Sequence, residues 1–427
     1  MRYRALLRAA LALSIAAPAA VAAGEVSADH PQPAETPDTF VTEWDAVGTQ
    51  AFSASGLSPG EGFPIFAYVA VAVYDSVVAI DGGYEPFAVD VGASPTASAE
   101  AAVAAAAHRV LVHYLPAQQS TILDPAYTAS LARIPDGSAK VEGMALGERV
   151  AQLWIDQRTG DGFRAPTAPY VTPNPPIPGV WIPTAATTPV GLSTRFMTPF
   201  SLDSPDQFRP PPPPALDSNI WARDYNEVKE LGSATSTTRT DEQTLAARFW
   251  AEAPVQQDRG SLRRLIGDRR LGIADAARLM AMASVADADA FIACFDAKYE
   301  YAFWRPITAV RAGDTDGNEN TVGDPSWAPL LPVTPNHPEY PSAHGCITSA
   351  GGAAIARFLG TDRIDYTVPS LTGLGDRTFK TVRDLEKEVG DARIWGGIHY
   401  RSAVDAGITI GRKVAHQLLA EHFQPTK

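Results

Sequence analysis

The sequence predicts an all-α protein with a helical-bundle architecture, read as two packed bundles of which the N-terminal one is a degenerate copy. Three observations predict it. Apolar or alanine-rich stretches of helical length recur at 63–80, 97–114, 140–157, 272–304 and 402–423. Helix-start signals precede several of them, as in Thr240-Asp241-Glu242-Gln243, where Gln243 holds the capping-box position. No segment of any length shows strand-period alternation.

The elements follow in order. Arg2, Arg4 and Arg8 precede an alanine-rich apolar core and small residues before Gly24, so residues 1–23 read as a secretory signal peptide. The expected location is therefore secreted or periplasmic. Residues 24 to about 40 are a polar lead-in to an N-terminal helical half, 24–163, without site residues. Its stretch Phe63 to Ile80 approaches membrane-spanning length, but Pro64 and Asp75 favour a buried helix, so no membrane partner is expected in the mature form. From 164 to 215, 15 residues are proline, which reads as an extended arm wrapped over the surface. The C-terminal half, 216–427, is expected to hold helices at 217–231, from Thr240 to Glu252, at 272–304, 345–358 and 379–389, and at 402–423.

Three short echoes in the same order suggest internal duplication. Ala72-Val73-Tyr74-Asp75 matches Ala293-Cys294-Phe295-Asp296, Ser98-Ala99-Glu100-Ala101 matches Ser342-Ala343-His344-Gly345, and Gly147-Glu148-Arg149-Val150-Ala151 matches Gly411-Arg412-Lys413-Val414-Ala415. Val77 and Glu100 then stand where the second copy has Lys298 and His344. The net charge of −13 argues against a nucleic-acid partner, because counterion release needs a basic surface. An anion would be bound in a local pocket. Cys294 and Cys346 lie close to residues of that pocket, and the sequence leaves their pairing open.

The pocket is assembled from three segments. Lys298 and Arg305, seven residues apart, would share one face if a single helix carried both, with Pro306 ending it. Ser342, the Ala343 N–H and His344 open a helix, whose N-terminus favours anions before any side chain is counted. Arg393 and His399 flank Gly396-Gly397 on what reads as a loop. Taken singly, each is as easily a surface charge or a packing residue. Three cations, a helix N-terminus and two imidazoles together describe a site for a tetrahedral oxyanion.

In these segments the sequence resembles the family joining type-2 phosphatidic-acid phosphatases, bacterial acid phosphatases and vanadium haloperoxidases. The family pattern of lysine, six residues, Arg-Pro, then Pro-Ser-Gly-His, then arginine with histidine six residues on, is matched by Lys298 to Pro306, Pro341 to His344, and Arg393 to His399. Ala343 replaces the usual glycine, and Ala403 stands where many phosphatases carry an aspartate, leaving the partner of His399 open. Residues 239–243, Phe249-Trp250 and Gly323 to Trp327 resemble the soluble vanadium haloperoxidases in particular.

The resemblance implies vanadate held by Lys298, Arg305, Ser342, Ala343 and Arg393, with His399 bonded to the metal. His344 would be the acid/base and Lys298 would polarise the bound peroxide. Implied partners are hydrogen peroxide, halide and a small organic acceptor, and a homo-oligomer is compatible with them. His337, five residues before Ser342, is expected at the pocket mouth, where by resemblance chloroperoxidases place phenylalanine and bromoperoxidases histidine, so bromide and iodide are the expected halides. The alternative enzyme is a secreted acid phosphatase forming a phosphohistidine at His399. A non-catalytic oxyanion binder is disfavoured by retention of both histidines and all three cations.

Overall fold

A computed structural model describes residues 39–426. The stretch read as a signal peptide and most of the lead-in lie outside the described residues. The N-terminal half holds α1 (Phe40–Ser55), α2 (Pro59–Asp81), α3 (Ala99–Tyr114), α4 (Asp124–Ala132) and α5 (Ser138–Gln157). After the arm come α6 (Asn219–Leu231), α7 (Asp241–Phe249), α8 (Pro254–Arg269), α9 (Ile273–Tyr301), α10 (Pro306–Arg311) and α11 (Ala343–Leu359). A hairpin of β1 (Arg363–Val368) and β2 (Arg377–Thr381) leads to α12 (Val382–Trp395) and α13 (Arg401–Glu421).

At the centre α2 packs against α9. Ser58 and Glu61 form a capping box and Pro59 occupies the first turn of α2, so the sequence itself starts this helix. The helix is apolar on every side, and 89% of its most apolar window is buried inside the protein. Asp75 is tolerated there because its carboxylate accepts the N–H groups of Phe87, Ala88 and Val89 at 2.6, 3.0 and 2.8 Å.

The echoes have a packing counterpart. A Cβ at Gly143 or Gly147 of α5 would lie 2.2 or 2.3 Å from the carbonyl oxygens of Ser98 and Ala102 on the α3 side. A Cβ at Gly407 or Gly411 of α13 would lie 2.5 or 2.1 Å from those of Ser342 and Cys346 on the α11 side. The two helix pairs thus close on glycine in the same register, Ser98 standing where Ser342 stands.

Several expectations are corrected. The helix expected to carry both Lys298 and Arg305 ends at Tyr301; Ala302 turns left-handed (φ 42°) and Arg305 caps α10. Pro306 opens that helix instead of closing the earlier one, since a first-turn N–H has no helical partner to lose. Helix α8 was missed because its sequence is strongly charged, yet Val255, Leu262, Leu265 and Ile266 make a buried face. The β-hairpin, with Tyr366 opposite Phe379, takes the first residues of the helix expected at 379–389. That helix starts instead at Val382, capped by Thr381 and Asp384, and runs on through Arg393, so a helix and not a loop carries this arginine.

The proline-rich segment holds one short 3-10 turn, Thr194–Phe196, and is strapped to α9. Asp289 accepts the Phe200 and Ser201 N–H groups, Arg209 pairs with Asp296 at 2.8 Å, and Trp181 N donates to Ala302 O at 2.6 Å.

Candidate oxyanion site

Five pieces of chain meet at one end of the C-terminal bundle: the last turn of α9, the cap of α10, the 335–342 loop, the last turn of α12 and the Gly396–Tyr400 turn. Lys298, Arg305 and Arg393 are at most 2% exposed there. Burial, helped at Lys298 and Arg393 by the charge of Arg305, lowers their affinity for protons, to about 8 for Lys298, about 10 for Arg305 and about 9 for Arg393. The carboxylate set against Lys298 and Arg305 is that of Glu339. Three buried cations facing one acid are an excess of positive charge that costs several kcal/mol per ion unless an anion is supplied.

Each cation is braced on backbone. Lys298 Nζ donates to the carbonyls of Pro338 (3.0 Å), Glu339 (2.9 Å) and Pro341. Arg305 Nε donates to His337 O and Nη1 to Ile398 O, each at 2.9 Å. An Arg393 Nη1 hydrogen goes to Trp250 O. Among the described residues, Arg393 Nε and the Ser342 hydroxyl are buried without a hydrogen-bond partner. Two orphaned donors beside three cations at a helix N-terminus fit a tetrahedral oxyanion, because each would gain a charge-assisted bond from it. Lys298 stands behind this face: its ammonium is spent on the loop that presents Ser342.

His399 Nδ1 lies 2.7 Å from Glu339 Oε1, the oxygen that also accepts the Tyr400 N–H at 3.0 Å. An oxygen taking one donor is the acceptor for both, so Nδ1 carries the proton. The lone pair at Nε2 then points toward Arg305 Nη1, 3.3 Å away. Burial, reinforced by Arg305 and Lys298, keeps the ring neutral, well below its ordinary value. Burial also raises the Glu339 carboxyl to about 8.

His344, half-buried on the first turn of α11, lines a cavity of about 630 Å³ together with Arg393 and His399. Burial and the neighbouring Arg393 hold it neutral, and Trp250 O is its hydrogen-bond partner. His337 is not at the mouth. It is 8% exposed in the cavity wall, with Arg305 Nη2 3.0 and 3.3 Å from its ring nitrogens and the Phe295 ring 5.1 Å away. Cys294 and Cys346 are buried and unbridged.

The structure thus brings together all the residues proposed from sequence, with Lys298 turned to carbonyls and His337 moved inward. Glu339 was missed as the partner of His399. Its one sequence signal was an acid between two prolines in Pro338-Glu339-Tyr340-Pro341.

A buried cationic cup on a helix N-terminus, with a neutral imidazole presenting its lone pair, defines an oxyanion-binding helical protein. The profile of the VCPO second helical-bundle domain matches residues 278–425. A vanadium chloroperoxidase of Curvularia inaequalis is 28% identical over 179 residues, which cover 34% of this chain and 29% of that protein's length. Among solved structures, a bacterial vanadium-dependent iodoperoxidase superposes with a TM-score of 0.78 at 25% identity, covering 92% of this chain and 98% of its own. A holo-type bacterial vanadium-dependent chloroperoxidase, at 18% identity, shares the fold with a TM-score of 0.71 over 91% of this chain and 98% of its own. In its fold and in the sequence of its second bundle, the chain is similar to the vanadium haloperoxidases.

Proposed function

We propose that the protein is a secreted or periplasmic vanadium-dependent haloperoxidase that oxidises halide, bromide and iodide before chloride, with hydrogen peroxide to hypohalous acid. The observation that carries this reading is the uncompensated buried charge: Lys298, Arg305 and Arg393, with orphaned donors at Ser342 and Arg393, need an oxyanion. Vanadate would be held by Arg393, the Ser342 hydroxyl, the Ala343 N–H and Arg305, with Lys298 reinforcing the charge from behind and His399 Nε2 as the ligand to the metal. Bound there, it would supply a Lewis acid that makes peroxide oxygen electrophilic toward halide without changing its own oxidation state.

The chain's own part is positional and protonic. Glu339 fixes the His399 tautomer, and the carbonyls of His337 and Ile398 aim the Arg305 guanidinium. His344, neutral and in the cavity wall, accepts a peroxide proton and returns it to the leaving oxygen.

The test is to add or withhold vanadate and to measure halogenation with peroxide beside phosphomonoester hydrolysis. Vanadate-dependent halogenation is expected. Hydrolysis that vanadate inhibits, without halogenation, would replace this reading with the phosphatase that the same cup could support through His399.

A further inference from the structure

The cavity that begins at His344, Arg393 and His399 does not end there. It continues between α9 and α11 to a second polar end formed by Asp287 with Asp258, Ser261 and Tyr366. Between the two ends its walls are apolar, with Phe63, Phe291, Phe295, Leu262 and Ile355 among them. Phe63 belongs to α2, so the bundle that lacks oxyanion residues still shapes this space. A volume of about 630 Å³ is that of a pocket for a medium-sized organic molecule.

Asp287 is the unexplained group. It is 2% exposed, and neither of its carboxyl oxygens has a hydrogen-bond partner. The buried acids elsewhere on these helices are satisfied: Asp289, two residues on, takes the N–H groups of Phe200 and Ser201 and the Ser201 hydroxyl. The nearest backbone donor is the Gly351 N–H, which faces this carboxyl from α11 and partly offsets its burial without closing a hydrogen bond to either oxygen.

Charge points the same way. Near Asp287, Arg259 pairs with Asp45 and Asp258, and Arg263 pairs with Asp45. Two guanidiniums and two carboxylates balance, and Asp287 is the surplus acid. An apolar cavity that ends on an acid without a partner is complementary to an apolar molecule that ends on a cation.

We propose that this inner end binds the ammonium group of an apolar, ring-bearing amine, with Asp287 as its counter-charge and the ring directed along the cavity toward His344. The role of that amine as organic acceptor rests on the haloperoxidase reading; the ammonium site does not. Asp287 precedes Lys298 by eleven residues on α9, or about 16 Å along the helix axis. A flexible spacer between ammonium and ring is therefore part of the ligand class. In the reaction, the ring π-electrons attack the halogen of hypohalous acid, hydroxide leaves and takes the ring proton as water, and a ring C–H becomes C–halogen.

The experiment titrates the vanadate-free full chain calorimetrically with 4-phenylbutylamine and with its neutral counterpart 4-phenylbutanol. The amine should bind at least tenfold more tightly. Asp287→Asn, close in shape and unable to ionise against a bound ammonium, should abolish that preference while leaving alcohol binding within about twofold. Equal affinities in the native protein, no binding of the amine, or a preference that survives in Asp287→Asn would each overturn the proposal. The native comparison decides the matter even if the variant misfolds. A vanadate titration on the same preparation separates the two readings: amine preference without vanadate binding keeps the ammonium site and removes its role as acceptor site. Vanadate binding without amine preference removes the ammonium site alone.

Discussion

Glu339 Oε1 holds two hydrogens at once, from His399 Nδ1 at 2.7 Å and from Tyr400 N at 3.0 Å. The backbone donor fixes the carboxyl, and the carboxyl fixes the imidazole. His399 therefore presents a lone pair at Nε2, the form that can bond an electrophilic centre. Glu339→Gln leaves an amide that can turn its NH₂ toward Nδ1 and force the proton onto Nε2. We expect vanadate affinity to fall roughly 10- to 100-fold. In His399→Ala, where only electrostatic contacts remain, tight binding should disappear. Titration calorimetry measures both, and native affinity in Glu339→Gln would remove that carboxyl from the site's design.

His344 reaches the cavity but makes no hydrogen bond to Ser342 Oγ or Arg393 Nε, the two orphaned donors. We expect His344→Ala to keep vanadate while losing about 10²- to 10⁴-fold in halogenation rate. Full activity would exclude it as the proton-handling group. Loss of vanadate in proportion to activity would make it a binding residue instead.

The His337 ring lies against the Arg305 guanidinium, so it acts on the anion site through that cation. His337→Phe removes a polar partner of Arg305 and leaves an apolar wall beside Phe295. The ratio of chloride to bromide turnover should rise several-fold, since a drier, less hydrogen-bonded peroxide is the stronger electrophile. Steady-state rates with each halide measure it, and an unchanged ratio would show that this ring does not set halide preference.

Burial, reinforced by Asp258 and opposed by Arg259, raises the Asp287 carboxyl well above its ordinary 3.8. Above about pH 4 the unfolded chain ionises this group while the folded protein keeps it protonated. Its contribution to stability is therefore complete below 3.8 and is lost as pH rises toward the folded value. Asp287→Asn does not titrate. Its stability relative to the native protein should increase by up to about 1.4 kcal/mol per pH unit across that window. Denaturant melts at pH 4, 6 and 8 measure the difference, and a constant gap would mean that Asp287 is ionised in the folded state.

What was legible in the sequence follows from which interactions are local. The capping box at Thr240 and the small-residue stretches of α3 and α9 declare themselves within a few residues. The oxyanion residues were legible because they fall in short segments, most of them marked by proline or glycine: Arg305 before Pro306, Ser342 after Pro341, and Arg393 and His399 on either side of Gly396-Gly397. Glu339 and Asp287 were not, because their roles depend on contacts that no window of sequence contains: His399 is sixty residues from Glu339, and Asp287 is notable for what does not touch it. The hairpin and α8 escaped because tertiary burial, not local pattern, selects their conformations. Tyr366 and Phe379 face the core from short strands, and a charged sequence buries one narrow stripe.

The proline-rich arm has a consequence for the order of assembly. Three of its anchors, at Phe200, Ser201 and Arg209, grip α9 at a sequence separation of 87 to 89 residues. A polypeptide made from its N-terminus delivers the strap long before the post to which it is tied. Prolines with restricted φ limit how far that waiting segment can wander, and so reduce the entropy lost when it docks. Closure of so long a loop is nonetheless slow relative to local helix formation. The N-terminal helices should therefore form early, while their clasp with the rest of the molecule closes only after α9 has been synthesised.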